Sequence, residues 1–239
     1  MQVALITGGG SGIGLATALE LAKRGFALCL AGRRGEVLEE AGALVRDAGA
    51  ADVMLRWTDV SVEVESLELI ERALEGLGRI DILINNAGSA PLQPVGTMKS
   101  TDITRCFEVN ALAPAWMINA VWPHMVERGG GRIVNVSSMS ARDPFPGFFA
   151  YAGAKAALNS FTRSIATEGE PHGIRGFCVA PGAVETTMLR ELFDESRIAR
   201  DDTLTPEDVA QIIVACAVGE RDEDNGRTIW VSKDGAEVD

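Results

Sequence analysis

Val3-Ala4-Leu5-Ile6-Thr7-Gly8-Gly9-Gly10-Ser11-Gly12-Ile13-Gly14 is an apolar run that ends in a glycine cluster, after which Leu15, Ala18, Leu19 and Ala22 recur at helical spacing up to Gly25. The order is strand, glycine turn, helix. Such a turn brings backbone N–H groups and a helix N-terminus against a pyrophosphate, an approach that side chains would block. The G-x-G-x-x-G spacing and the Walker lysine are both absent, and the pattern is T-G-x-x-x-G-x-G. A tight strand-to-helix connection without a ligand is the blander reading of the same glycines.

The next segments repeat the alternation. Phe26 to Ala31 reads as a second buried strand, followed by Gly32-Arg33-Arg34 and a helix with Val37, Leu38, Ala41, Leu44 and Val45 on one side. A binder of NAD usually offers a carboxylate to the ribose about 20 residues after the glycine turn, whereas a 2'-phosphate calls for arginine. Arg33 and Arg34 hold that place, with no acid before Glu36, which favours NADP(H) over NAD(H). Solvated turn arginines are the alternative. Val53 to Trp57 is a third strand candidate; Asp59 just beyond it could accept from an adenine amino group, and Ser61 is the expected cap of the next helix. Ile80 to Ile84 is a fourth strand that runs into Asn85-Asn86-Ala87-Gly88, small residues suited to a backbone pressed against a ligand.

From Ser100 to Arg128 the period is helical, with Pro114 and Pro123 as expected kinks or boundaries. Asn110, a mediocre helix former, lies in its middle and marks a bent, hydrated site or a surface accident. Arg132 to Ser138 is a fifth strand closing on two hydroxyls, Phe177 to Ala180 a sixth stopped by Pro181-Gly182, and Thr228 to Ser232 a seventh. Between the fifth and sixth, Tyr151 and Lys155 sit four apart in a helical segment, which places phenol and ammonium on one face. A nearby cation lowers a phenol pKa from about 10, so the pair is a candidate acid/base.

The totals set outer limits. The 239 residues, 46% of them hydrophobic, suit one domain with a sizeable core. A net charge of −12 argues against nucleic acid or an anionic membrane as partner. Cys29, Cys106, Cys178 and Cys216 are scattered, so neither a disulfide framework nor a metal site is indicated. No stretch approaches membrane-spanning length and the start does not read as a signal peptide, so the expected location is cytoplasmic.

Thr7-Gly8-x-x-x-Gly12-x-Gly14, Asn85-Asn86-Ala87-Gly88, Ser138 with Tyr151-x-x-x-Lys155, and Pro181-Gly182-x-Val184-x-Thr186 stand in one order along the chain. Together they resemble the short-chain dehydrogenase/reductase family over almost the whole sequence. The resemblance implies a single α/β domain, residues 1–239, built on a Rossmann-type doubly wound parallel sheet of about seven strands, with a substrate lid around 183–204. By position it implies Tyr151 as acid/base, Lys155 as the residue that lowers its pKa and holds the nicotinamide ribose, and Ser138 as the hydroxyl that orients a carbonyl. Asn110 matches the residue positioning a water beside Lys155. Gly8, Ser11, Gly12, Ile13 and Gly14 match the pyrophosphate turn, Arg33 and Arg34 the 2'-phosphate site, Asp59 and Val60 the adenine site. Asn86 matches the end of the fourth strand, Ala87, Gly88, Pro181 and Gly182 are implied as further cofactor contacts, and Val184 and Thr186 match positions near the nicotinamide carboxamide.

The function so implied is hydride transfer between NADP(H) and a carbonyl or secondary alcohol, with 3-oxoacyl compounds as a special case. An NAD-dependent alcohol dehydrogenase and a cofactor-sensing protein without turnover are the alternatives. Expected substrate walls are Ser89, Ala90, Phe145, Phe148, Phe149, Met188 and Leu189, with Arg142 as a candidate for steering an anionic tail. No metal is expected. A homo-oligomer, tetramer or dimer, is implied as well.

Overall fold

The computed structural model describes residues 1–239. Eight strands form one sheet: β1 (Val3–Thr7), β2 (Ala27–Gly32), β3 (Asp52–Trp57), β4 (Ile82–Asn85), β5 (Gly131–Val136), β6 (Ile174–Pro181), β7 (Thr228–Ser232) and β8 (Gly235–Val238). Their order is β3-β2-β1-β4-β5-β6-β7-β8, and only β8 runs antiparallel to its neighbour. The chain winds outward from β1 in one direction and then, from β4, in the other. The crevice above the carboxyl ends of β1 and β4 is therefore the place where such a sheet receives a ligand.

Side chains alternate across the strands, which assigns the helices to two layers. Ala4, Ile6, Leu28 and Leu30 pack against α1 (Gly12–Lys23), α2 (Gly35–Asp47) and α8 (Pro206–Val218). Leu5, Cys29, Leu83 and Ile133 face α3 (Glu63–Leu77), α5 (Ala113–Glu127) and the end of α6 (Phe149–Gly169). Both layers are closed by buried aliphatic residues, so the sheet centre is dry on both faces, as parallel sheets require. Thr205 caps α8 as its sequence suggests: its hydroxyl accepts from the Asp208 N–H while the Asp208 carboxylate accepts from the Thr205 N–H.

Three sequence expectations change. The eighth strand was not anticipated, because Gly235 to Val238 is exposed to intermediate in burial and owes its conformation to pairing with β7 across the Lys233-Asp234 turn. Ser61 does not cap α3; its hydroxyl donates to Asp59 Oδ1 at 2.8 Å, and Val62 precedes the helix. The helical run from Ser100 is interrupted: α4 (Ser100–Phe107) passes through a π-turn, Glu108–Leu112, before α5 begins. Asn110 lies in that turn, which bends the run where the cleft needs it.

Candidate active site

The glycine turn between β1 and α1 is shaped by contacts no side chain could share. Gly8 and Gly12 adopt positive φ, 65° and 52°. Gly14 lies at the start of α1, where a Cβ would fall 2.2 Å from the Gly8 carbonyl oxygen and 2.6 Å from Asn86 Nδ2. Thr7 and Asn86 lock the tips of β1 and β4 together. The Thr7 hydroxyl accepts from the N–H groups of Asn86 and Ala87, both at 3.0 Å, and Asn86 Nδ2 donates to the Thr7 carbonyl at 2.8 Å. The Asn86 side chain thus braces the turn from behind.

At the outer end of the same cleft, Arg33 and Arg34 are exposed, and Arg34 Nη2 reaches Ser11 Oγ at 3.3 Å. Neither guanidinium joins an ion pair, whereas Arg105 is paired with Asp59 at 2.7 Å. Asp59 faces the cleft with one oxygen held by Arg105 and the other by Ser61. Partial burial works against its charge, but these hydrogen bonds outweigh it and hold the carboxyl below its ordinary range.

α6 presents Tyr151 and Lys155 on one face, with Lys155 Nζ 5.8 Å from the phenol ring centre. Lys155 is buried and donates to the Val136 carbonyl at 2.7 Å. Asn110 is fully buried behind Gly88 and Ser89; its Nδ2 donates to the carbonyls of Ser89 (2.7 Å) and Cys106 (2.8 Å). A Cβ on Gly88 would fall 3.1 Å from Asn110 Oδ1 and 3.6 Å from Lys155 Nζ, so the glycine keeps these groups adjacent. Ser138 follows β5 and borders the cleft. Ser137 also borders the cleft, but its hydroxyl lies within hydrogen-bond distance of the Lys155 carbonyl (3.0 Å) and Asn159 Oδ1 (2.7 Å). Ser140, which the sequence reading missed, donates to Ser138 Oγ from both its N–H (3.2 Å) and its hydroxyl (3.0 Å). The Ser138 proton is thereby left for an acceptor in the cleft.

The electrostatics depart from expectation. Burial pushes the Tyr151 phenol up to about 12, with the Ser138 hydroxyl opposing and the Cys106 thiol adding slightly. Lys155 is not among the groups that lower it, because an amine pushed down to about 8 is already neutral at the pH where a phenol near 12 ionises. Burial also pushes Lys155 down to about 8, against small opposing effects from Cys178 and Cys106. Below about pH 8 the folded state carries the full penalty of that buried charge. From about 8 to 10.5, the ordinary lysine value, the native amine is neutral while the unfolded one remains charged, so the penalty fades. Its size is on the order of 3 kcal/mol at neutral pH. Lys155→Met removes it and orphans the Val136 carbonyl, which costs about 1 kcal/mol or more. The expected net result is a Tm higher by a few degrees at pH 7, with the gap closing toward pH 10. Thermal denaturation across pH checks this; a variant less stable at pH 7 would show that the ammonium is not penalised.

The cleft encloses about 1100 Å³. Ser89, Ala90, Phe145, Phe148, Met188 and Leu189 all border it, beside Gly8, Ser11, Gly12, Ile13, Val60, Asn86, Ala87, Gly88, Pro181, Gly182, Val184 and Thr186. Gly14 and Asn110 act from behind its wall, and Phe149 lies outside it, largely exposed. Phe148 stands 5.3 Å from the Tyr151 ring and edge-on to Phe193 at 6.1 Å. Arg142 turns away from the cleft: its guanidinium stacks over Trp230 at 4.7 Å and pairs with Glu237 at 3.3 Å. The segment after β6 crosses the cleft mouth as α7 (Thr187–Leu192) and a loop, pinned where Val184 bridges to Leu204. It adds Phe193, which shares an apolar helical spacing with Met188, Leu189 and Leu192, and Glu191 and Arg197, which no spacing in the sequence marks.

A doubly wound sheet with a glycine turn at its switch point, and a half-buried tyrosine and serine with a buried lysine beside it, is the arrangement of a nicotinamide-dependent oxidoreductase. The chain belongs to the short-chain dehydrogenase family, whose model, described as short chain dehydrogenase, matches residues 2–197. It is 35% identical to the short-chain reductase protein NovJ of Streptomyces niveus, over 96% of this chain and 92% of that protein. Among solved structures, levodione reductase is similar with a TM-score of 0.90 at 28% identity, covering 97% of this chain and 96% of that one. A NAD+-bound xylitol dehydrogenase is similar with a TM-score of 0.90 at 27% identity, covering 97% of each chain. No helix is long and apolar enough to cross a membrane.

Proposed function

We propose that this oxidoreductase transfers hydride between NADP(H) and a ketone or secondary alcohol, with Tyr151 as the general acid and base. What carries the reading is the convergence of Tyr151, Lys155 and Ser138 on the cleft that also holds the glycine turn. The turn fits a dinucleotide: a Cβ at Gly8 or Gly14 would fall under 3 Å from neighbouring atoms, and Gly8, Gly10, Ser11, Gly12 and Ile13 border the cleft at the start of α1. When bound, the nicotinamide supplies or accepts the hydride. Tyr151, protonated at neutral pH, gives its proton to the developing alkoxide, and the free Ser138 proton hydrogen-bonds the same oxygen. Lys155 binds the ribose, and Asn110 behind the wall positions a water through which a proton returns to the phenol.

Residues 183–204 serve as the lid, Val60 and Asp59 border the adenine, and the chain works as a homo-oligomer, a tetramer or dimer. Four buried thiols suit a reducing compartment, the cytoplasm. A cofactor sensor without turnover would have no use for the arrangement of Tyr151 and Ser138. The NAD+-bound state of the xylitol dehydrogenase favours NAD as the second reading. The unpaired guanidiniums of Arg33 and Arg34 favour the 2'-phosphate. Fluorescence titration should show NADPH binding at least about tenfold more tightly than NADH, and the double variant Arg33→Ala/Arg34→Ala should erase that preference. Equal or tighter NADH binding by the unaltered chain would overturn the assignment.

A further inference from the structure

The far end of the cleft, beyond Tyr151, carries a charge that hydride transfer does not use. The segment after β6 holds three arginines, Arg190, Arg197 and Arg200. Two are committed to the segment itself. Arg190 pairs with Glu185 and donates to the Ile198 carbonyl at 2.8 Å, and Arg200 pairs with Glu195 at 2.6 Å. Arg197 borders the cleft and joins no ion pair. Its position is fixed locally, since Asp194 Oδ1 accepts from the Arg197 N–H at 3.2 Å and from the Ser196 N–H at 3.0 Å. The guanidinium carbon lies 6.0 Å from the centre of the Phe193 ring, and Phe193 leads through Phe148 to Tyr151. Two aromatic rings thus separate the free cation from the phenol.

We infer that the substrate is an apolar ketone or alcohol ending in a carboxylate, which Arg197 receives while Phe148 and Phe193 cover the body. This rests on the oxidoreductase reading of the cleft. A planar guanidinium matches a carboxylate through two parallel hydrogen bonds, and an aromatic face behind it limits its motion. Glu191 borders the same cleft and the Asp194 carboxylate lies within the field of Arg197, so the local balance suits one negative charge better than the double charge of a phosphate monoester.

The test needs no turnover. Calorimetric titration of the protein with 6-phenylhexanoate and with 6-phenylhexanamide should show the acid bound at least about tenfold more tightly. Arg197→Gln should bring the ratio of the two dissociation constants to about one, Arg197→Lys should keep part of the preference, and Glu191→Gln should enlarge it. A ratio near one in the unaltered protein, no binding of either compound, or a preference that survives Arg197→Gln would overturn the inference. Failure of the oxidoreductase reading looks different: no ketone would be reduced with NADPH, whatever the acid preference.

Discussion

Tyr151→Phe is expected to lower the rate of NADPH-dependent ketone reduction by roughly 10³-fold while leaving the dissociation constant for NADPH within about threefold. The substitution keeps the ring, and with it the packing on Phe148 at 5.3 Å, so the wall of the cleft keeps its shape. It removes only the hydroxyl. A phenol pushed up to about 12 is fully protonated at neutral pH, which equips it to donate as negative charge develops on the substrate oxygen. No other side chain can take over at that point. Ser138 remains to hydrogen-bond the oxygen, but its hydroxyl proton is far too weakly acidic to be given up. Lys155 points at the Val136 carbonyl 2.7 Å away, 5.8 Å from the ring centre. Stopped-flow oxidation of NADPH with a diketone, beside a fluorescence titration, measures both quantities. Turnover within tenfold of the unaltered protein would sink the role assigned to Tyr151.

Features that depend on neighbours in the chain were open to the sequence. The glycine turn, the four-residue spacing of Tyr151 and Lys155, the Thr205 cap and the strand runs are local, and the structure shows each where the pattern puts it. Features that depend on what the chain meets in space were not. β8 exists because β7 offers it an edge, and its own residues alternate too weakly to announce a strand. The phenol shift could not be read from the spacing. Sequence gives the spacing to a lysine but not the burial that dominates the behaviour of both groups. Arg142 looked free in a polar loop, yet the hairpin of β7 and β8 comes back to meet it with Trp230 and Glu237. Arg197 reaches the cleft only because the segment between Val184 and Leu204 is pinned at both ends.

The glycine turn makes the second large prediction, and Gly14 is where it is sharpest. In a helix an alanine is ordinarily better than a glycine by up to about 1 kcal/mol. That gain should appear at Gly35, the first residue of α2, where an added Cβ meets nothing within 4 Å. At Gly14 the sign should reverse. The added carbon would lie 2.2 Å from the Gly8 carbonyl oxygen and 2.6 Å from Asn86 Nδ2, both fixed by the bonding of Thr7 and Asn86 between β1 and β4. Neither is the loose end of a flexible side chain. α1 must therefore shift away from the turn, at a cost of about 2–4 kcal/mol and a Tm lower by roughly 5–15 °C. The same shift moves the start of α1 and the turn residues that border the cleft, so Gly14→Ala should weaken NADPH binding at least about thirtyfold even where the protein stays folded. Gly35→Ala should leave Tm equal or higher. If Gly14→Ala matched the unaltered protein in both Tm and NADPH affinity, the packing of α1 against Gly8 would not be what shapes the dinucleotide site.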